Sequence, residues 1–253
     1  MNERIHLRTW GDLACFTRPE MKVERVSYAV MTPSAARGLL ESILYKPQFR
    51  WRVHRIAVKN PIRFLALKRN EVKEKISPTQ LKAAANGDAV EVIFADEMGK
   101  NKGRTQRNTL ALRDVEYVVE ASLELTPLVN QPRRRPQCED EPEGDDNPSK
   151  YYGMFRRRAG DGQCFARPCF GCREFPAHFE LADASAMQVS PAKTPNTDLG
   201  LMLYDVFDLD VRYNWEKVRK PQPRITFFPA RLEEGVMKVP DWSEIKKQLG
   251  GAP

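Results

Sequence analysis

Lysine, tyrosine and arginine cluster at one place in this chain in a way that suits phosphate chemistry. Lys150-Tyr151-Tyr152 is followed a turn later by Arg156-Arg157-Arg158. Metal-free RNA cleavage needs a base for the 2′-hydroxyl, a cation for the charge that builds on the phosphate oxygens, and an acid for the leaving 5′-oxygen. Lysine offers a point charge, and tyrosine a hydrogen-bonding phenol and a stacking face. The same residues also suit an ordinary amphipathic helix start with its tyrosines against a sheet, and residue types alone leave both readings open. The three histidines are His6, His54 and His178. His6 and His54 can both face out of a sheet, where a lone histidine is more often structural than catalytic.

Other chemistries have little support. Cys164, Cys169 and Cys172 have the spacing C-x4-C-x2-C, part of an iron–sulfur ligand set. Such a cluster needs a fourth ligand, and Cys15 and Cys138 lie far away in sequence. No His-x3-5-His pair completes a zinc site, so the cysteines read as free thiols and no metal or cofactor is expected. Arg37 and Glu41, four apart, read as a helix surface pair. The sequence has no G-x-x-x-x-G-K-[ST], H-E-x-x-H or G-x-S-x-G motif, which leaves nucleotide hydrolysis, zinc proteolysis and serine hydrolysis without a basis.

The elements that must position these groups carry their own charge signal. Between Lys46 and Lys75 stand ten Lys or Arg against two acids, Glu71 and Glu74, an excess larger than the formal net charge of the whole chain, +7. Within it Phe49, Trp51 and Val53 fall on one face of a strand, and Arg50, Arg52 and His54 on the other. Charge on the outer face of an ordered element attracts polyanions, nucleic acid above all, although a merely solvated sheet face has the same look. A chain of 253 residues, 41% hydrophobic and 30% charged, holds one large core or two small ones. It contains no apolar run of about 18 residues, so no membrane partner is expected. Its start runs directly into a strand-like pattern, giving the expectation of no signal peptide and a cytoplasmic location.

Along the chain, Glu3 to Trp10 alternates as a strand with one wet face. Thr32-Pro33-Ser34 opens a helix, with Thr32 as cap and Pro33 in the first turn. Ala36, Leu39, Leu40, Ile43 and Leu44 form its apolar stripe, and Lys46-Pro47 ends it before the basic strand from Phe49 to about Val58. Gly99 to Arg113 holds five basic residues and no acid, and reads as a mobile loop or hairpin tip at its start. Val115 to Leu125 is the clearest strand. Pro132 to Pro148, with six acids between Glu139 and Asp146, cannot bury a core and reads as an exposed insertion. A short helix from Lys150 to Arg158 and a strand from about Arg173 to Leu181 follow. Then come short strands (Leu199 to Phe207, Arg224 to Phe228, Gly235 to Val239) and an amphipathic tail from Trp242 to Leu249. No internal repeat is visible.

This order is compatible with an α+β fold: a ferredoxin-like (RRM-like) N-terminal domain with insertions, residues 1–182, plus a small C-terminal antiparallel β-sheet, residues 183–253. A sheet of this kind bearing Arg and aromatic residues is a frequent RNA platform.

Three stretches carry a family resemblance: Trp10-Gly11-Asp12 with Phe16-Thr17-Arg18-Pro19-Glu20; Thr32-Pro33-Ser34-Ala35-Ala36-Arg37-Gly38 with Glu41-Ser42-Ile43-Leu44-Tyr45-Lys46-Pro47; and Phe155-Arg156-Arg157-Arg158-Ala159-Gly160 with Gly171-Cys172-Arg173-Glu174-Phe175-Pro176. Together they resemble the type I-C CRISPR-associated repeat-processing endoribonuclease, the d-subtype of the Cas-five group in the RAMP superfamily. The likeness runs over nearly the whole chain and is weakest between Glu71 and Met98 and through the acidic insertion. It implies metal-free cleavage of CRISPR precursor RNA at the 3′ base of the repeat hairpin. It also implies retention of the 5′ handle within a surveillance complex, so the implied partners are the repeat RNA and the other subunits of that complex.

Members of that family can carry a catalytic tyrosine just before a tryptophan in Glu-Ser-Ile-x-x-Lys-Pro. Here those positions are Leu44 and Tyr45, one step late, which on a helix is a rotation of about 100°. The family's adjacent lysine and histidine fall on Lys150 and Tyr151. An unshifted tyrosine titrates near about 10 and is a poor general base. The resemblance therefore casts Lys150 as electrostatic stabiliser, with Tyr151 or Tyr45 aligning the 2′-hydroxyl. Arg50, Arg52, Lys100, Lys102, Arg104, Arg156 and Arg157 are the expected RNA contacts. The departures at Leu44 and Tyr151 motivate an alternative, a subunit that holds the guide handle without cutting and binds duplex DNA weakly and salt-dependently.

Overall fold

The computed structural model describes residues 3–21, 23–73, 76–90, 103–126, 128–129, 146–190, 195–206 and 225–249. In chain order the elements are β1 (Ile5–Ala14), β2 (Arg25–Val26), α1 (Pro33–Ile43), β3 (Phe49–Val58), β4 (Phe64–Val72), α2 (Pro78–Ala85) and β5 (Arg104–Leu125). They continue with α3 (Pro148–Gly160), β6 (His178–Ala182), β7 (Thr197–Asp205), β8 (Thr226–Glu233), β9 (Val236–Lys238) and α4 (Trp242–Leu249). The result is a mixed α/β fold dominated by one antiparallel sheet. Its nine described strands run β6-β1-β5-β3-β9-β8-β7, with β2 and β4 also paired to β5.

β5 organises this sheet. Its first part, Arg104 to Leu112, pairs with β4, and its second part pairs with β1 on one side and β3 on the other. The handover falls at Asp114, which takes a left-handed φ of 53°, a conformation that aspartate tolerates better than most residues. The strand read from Val115 therefore begins eleven residues earlier, at Arg104. Thr105, Gln106, Arg107 and Asn108 have no strand-like composition of their own. They extend because β4 supplies the hydrogen-bonding partner, a non-local cause.

Alternation decides what each face does. Val115, Tyr117, Val119, Ala121 and Leu123 of β5 are buried, as are Ile5 and Leu7 of β1 and Phe49 and Trp51 of β3. α1 brings Ala36, Leu39, Leu40 and Ile43 into the same core, and α3 brings Tyr151, Tyr152, Phe155 and Ala159. Thr32 caps α1 by accepting from the Ala35 amide at 3.3 Å. The helix stops at Ile43, because Leu44 is already extended. β3 alternates as its sequence requires up to Val53, where a bulge shifts the register before Arg55.

Two readings of the sequence need correction. The strand expected from Arg173 is ordered as a strand only over β6. The preceding residues instead fold back, with a bridge between Cys169 and Pro176. Arg37 is more than half of a surface pair: besides Glu41 at 2.7 Å it grips the buried Asp205 of β7 through two guanidinium nitrogens, each 3.1 Å from a carboxylate oxygen. Most of the acidic insertion, and with it Cys138, lies outside the described residues.

Candidate active site and nucleic-acid interface

Asn147 starts α3 by accepting from the Lys150 amide at 2.9 Å, and Pro148 occupies the first turn. This cap sets the direction of the next three side chains. The Tyr152 hydroxyl donates to the Glu3 carbonyl at 2.6 Å and accepts from the Leu123 amide at 2.8 Å, pinning α3 to β5. Tyr151 is 1% exposed. Its ring lies 4.8 Å from that of Phe49 and its hydroxyl donates to Asp146 at 2.6 Å. The two tyrosines thus take the packing role that residue types left open. Only Lys150 reaches solvent, its ammonium 3.5 Å from the Asp146 carboxylate. Asp146 itself has a side chain only 4% exposed.

Leu44 and Tyr45 separate cleanly. Leu44 is fully buried, and its carbonyl accepts from the Trp51 indole at 3.2 Å. Tyr45 is 44% exposed. Because Leu44 is extended and not helical, one step in sequence turns the side chain to the opposite side, a larger change than the 100° of a helix. Arg158 closes the end of α1 by donating to the Ile43 carbonyl at 3.0 Å, so α1 and α3 are tied together beside Tyr45. Arg156 pairs with Glu3. Arg157 is exposed and makes no ion pair among the described residues.

The outer face of the sheet is not the bare basic surface that the charge count implied. Glu116, Glu120 and Glu124 of β5 form a row of carboxylates between the cations of β1 and β3. Glu116 receives Arg8 at 2.8 Å. Glu120 receives Arg4 at 2.7 Å and His6 at 3.2 Å as well as Arg55. Glu124 receives Arg52 and, at 3.6 Å, Arg50. Burial pushes the Glu120 carboxyl up, but the bonds and charges of Arg55, His6 and Arg4 outweigh it, leaving its pKa below the ordinary value. Arg50 and Arg52 are therefore committed to cross-strand pairs, a partnership that a residue-by-residue charge count does not register. Arg104 is exposed at the start of β5, while Lys100 and Lys102 lie outside the described residues.

One surface group went unread in the sequence. Trp10 stacks on His178 with ring centroids 5.8 Å apart, and Arg8 lies 5.0 Å from the Trp10 ring. The signal was present in the alternation of β1, which puts Trp10 on the same face as Arg8. The partner on β6 is contributed from far along the chain.

The cysteines disperse. Cys164 is exposed, Cys169 half-buried and Cys172 buried. Arg25 donates to the Cys172 sulfur at 3.0 Å. A hydrogen bond with Cys15, reinforced by Arg25, holds the Cys172 thiol down to about 6, and Cys15 is pushed up correspondingly. Among the described residues no group of three or more His, Cys, Asp or Glu is arranged to hold a metal.

Known proteins match this chain over almost its full length. The family model for CRISPR-associated protein (Cas_Cas5), subtype Cas5d, matches residues 5–240. The CRISPR pre-crRNA endoribonuclease Cas5d of Mannheimia succiniciproducens is 42% identical over 253 residues, spanning 98% of this chain and 100% of that protein. The chain belongs to the type I-C Cas5d family. The protein of the same name from Thermus thermophilus is 38% identical over 245 residues, 94% of this chain and 91% of that one. A solved CRISPR-associated protein shares the fold with a TM-score of 0.61 at 20% identity, covering 96% of this chain and 94% of its own.

The motifs of this Cas5d-family chain have visible structural work. Phe16 accepts from the Tyr28 amide at 2.9 Å, and Arg18 lies 5.1 Å from the Tyr28 ring. Gly171, at φ 80°, lets the Gly171–Pro176 loop close on Cys15: a Cβ there would stand 2.1 Å from the Cys15 carbonyl oxygen. Glu174 of that loop binds Arg69 of β4. These motifs knit the end of β1 to β2 and β4, and Lys150 is the exposed cation of the α3 start.

Proposed function

We propose that this chain is a pre-crRNA endoribonuclease that cuts CRISPR precursor RNA at the 3′ base of the repeat hairpin and keeps the 5′ handle as a subunit of a type I-C surveillance complex. The observation that carries this reading is identity of 42% and 38%, over nearly the whole chain, to two pre-crRNA endoribonucleases. The mechanism proposed is metal-independent. The 2′-oxygen attacks the adjacent phosphorus and gives up its proton, the bond from phosphorus to the 5′-oxygen breaks, and that oxygen takes up a proton. The products are a 2′,3′-cyclic phosphate and a 5′-hydroxyl.

Within this mechanism Lys150 is the electrostatic stabiliser of the charged phosphate oxygens, at the N-terminus of α3 where the helix dipole adds to its charge. Tyr45, exposed beyond α1, offers the phenol that aligns the 2′-hydroxyl. Tyr151 acts through Asp146, which holds Lys150. Arg104, Arg156, Arg157 and the paired Arg50 are assigned to phosphate contacts, and the paired Arg52 to an RNA contact. An arginine bound to one carboxylate retains donors for a second acceptor. Lys100 and Lys102 are assigned the same role from their sequence alone.

The fold supports this reading. The order β6-β1-β5-β3, with α1 and α3 packed into one core, supports a ferredoxin-like assignment. We assign residues 1–182 to it and residues 183–253 to a smaller β-sheet domain, attached by the short β3–β9 ladder. A cytoplasmic location is part of the proposal; no helix among the described residues is long and apolar enough to cross a membrane.

A second reading is favoured by the burial of Tyr151, which removes one of three candidate groups from the surface. It is a subunit that holds the guide handle, and duplex DNA non-specifically, without cutting. Incubation with the cognate repeat RNA in EDTA, followed by mapping of product ends, separates the two. A single cut at the hairpin base bearing a cyclic phosphate establishes the nuclease. Tight binding without a cut establishes the holding subunit.

A further inference from the structure

A cleft of about 550 Å³ opens between β3 and the C-terminal strands, a volume within the range of small-ligand sites. Its polar lining comes from Arg52, His54, Tyr204, Lys238, Asp241 and Glu244. Arg52 projects from β3 on the side away from Trp51, so the cleft is separate from the packing of α3.

Donors and acceptors face this space from different elements, and the Lys238 ammonium also binds Glu233 at 3.1 Å. One terminal nitrogen of the Arg52 guanidinium is buried and has no hydrogen-bond partner among the described residues, although Arg52 itself is anchored to Glu124. A buried donor left unpaired costs its full desolvation, so an acceptor brought into the cleft is favoured there. Asp241 and Glu244 make no ion pair among the described residues. Bonds from Ser243, aided by Arg52, hold the Asp241 carboxyl below the ordinary carboxylate range. Burial, with Arg4 adding, lowers the His54 pKa and keeps its ring neutral, while its Nε2 bonds Ser122 at 2.7 Å. The apolar lining, Phe228, Pro229, Val239 and Pro240, suits a flat ring.

A ligand for this site is flat, with a donor edge for carboxylates and an acceptor edge for a guanidinium. Among nucleobases guanine has both: its N1–H and N2 amine donate, and its O6 and N7 accept. Adenine lacks the paired donors that a carboxylate binds. We propose that the cleft holds one unpaired guanine base, with Asp241 and Glu244 accepting from its N1–H and N2 amine and with Arg52 and Lys238 donating to O6 and N7. That the base belongs to a bound RNA strand rests on the RNA-processing reading above. The specificity of the cleft for guanine does not.

The test is calorimetric titration of the full chain, freed of RNA, with GMP, AMP and inorganic phosphate. GMP is expected to bind, with AMP weaker by about tenfold or more and phosphate failing to compete. Asp241→Asn is expected to weaken GMP by about tenfold or more. Asp241 also caps α4 by accepting from the Ser243 amide at 2.9 Å, so Glu244→Gln, which keeps that bond, serves as the second variant and is expected to weaken GMP with only a small change in melting temperature. Equal affinity for GMP and AMP, or no effect of either substitution, overturns the proposal. The single-stranded trinucleotide UGU is expected to bind more tightly than GMP, and a trinucleotide no tighter than GMP overturns the assignment of the base to RNA. None of these readouts involves cleavage, so a chain that does not cut RNA still passes or fails on guanine alone.

Discussion

The phenol of Tyr151 donates a 2.6 Å hydrogen bond to the buried carboxylate of Asp146, the same carboxylate that faces the Lys150 ammonium at 3.5 Å. The carboxylate is thus shared between a core tyrosine and a surface lysine one residue apart. This geometry gives the two neighbours different expected phenotypes. Lys150→Ala is expected to slow single-turnover cleavage by roughly a hundredfold or more, as removal of an electrostatic stabiliser does, with repeat-RNA affinity changed only a few-fold. Tyr151→Phe is expected to lower stability by about 1–3 kcal/mol, because it leaves a buried carboxylate short of a donor, while cleavage persists. Denaturant unfolding and rapid-quench kinetics measure both. A fully stable Tyr151→Phe protein without activity would mean that the phenol acts on RNA directly.

Acid stability should follow Glu120. Its folded-state pKa is depressed below the ordinary value of 4.5 by Arg55, His6 and Arg4. A depressed carboxylate contributes stability that is fully present above its unfolded pKa and is lost as pH falls through the folded one. Unfolding free energy is therefore expected to decline as pH drops from about 4.5. Glu120→Gln should flatten that decline and leave the protein less stable at neutral pH. An unchanged profile from urea melts at several pH values would show that the Glu120 cluster contributes nothing.

Arg37 and Asp205 join α1 to β7 through a bidentate pair in which Asp205 has only 3% of its side chain exposed. Removing one partner of a buried pair strands the other charge. Arg37→Ala or Asp205→Ala is each expected to cost about 3 kcal/mol or more. The double variant should cost clearly less than the two together. Additive losses would indicate that the ions do not depend on each other.

Gly171→Ala places a methyl group 2.1 Å from the Cys15 carbonyl oxygen at a left-handed φ of 80°. Backbone atoms lie on both sides of the clash, so relief requires the loop to open. A loss of roughly 3 kcal/mol is expected, read as a lower denaturant midpoint. Gly38→Ala, in α1 with nothing within 4 Å of the added carbon, should be neutral or stabilising by up to about 1 kcal/mol.

The sequence by itself determined what short-range physics governs. Thr32-Pro33 starts α1 and its apolar stripe turns toward the sheet, Phe49 to Val58 is a strand, and Val115 to Leu125 is strand throughout. Each depends on capping chemistry or on a period of two or 3.6 residues, which the chain carries locally. The family was legible too, because its motifs are spaced in sequence. Tertiary structure decided the rest. The arginines of the basic strand looked free until β5 set Glu120 and Glu124 beside them. Gly99 to Arg113 reads as a loop or hairpin tip at its start, and the pairing with β4 makes Arg104 to Leu112 a strand. Tyr151 and Lys150 are adjacent in sequence, yet one is core and the other surface, because the sheet residue Phe49 packs on only one side of α3. Ion pairs, strand partners and burial are properties of residues brought together from distant positions, so neither periodicity nor a charge count along the chain can supply them.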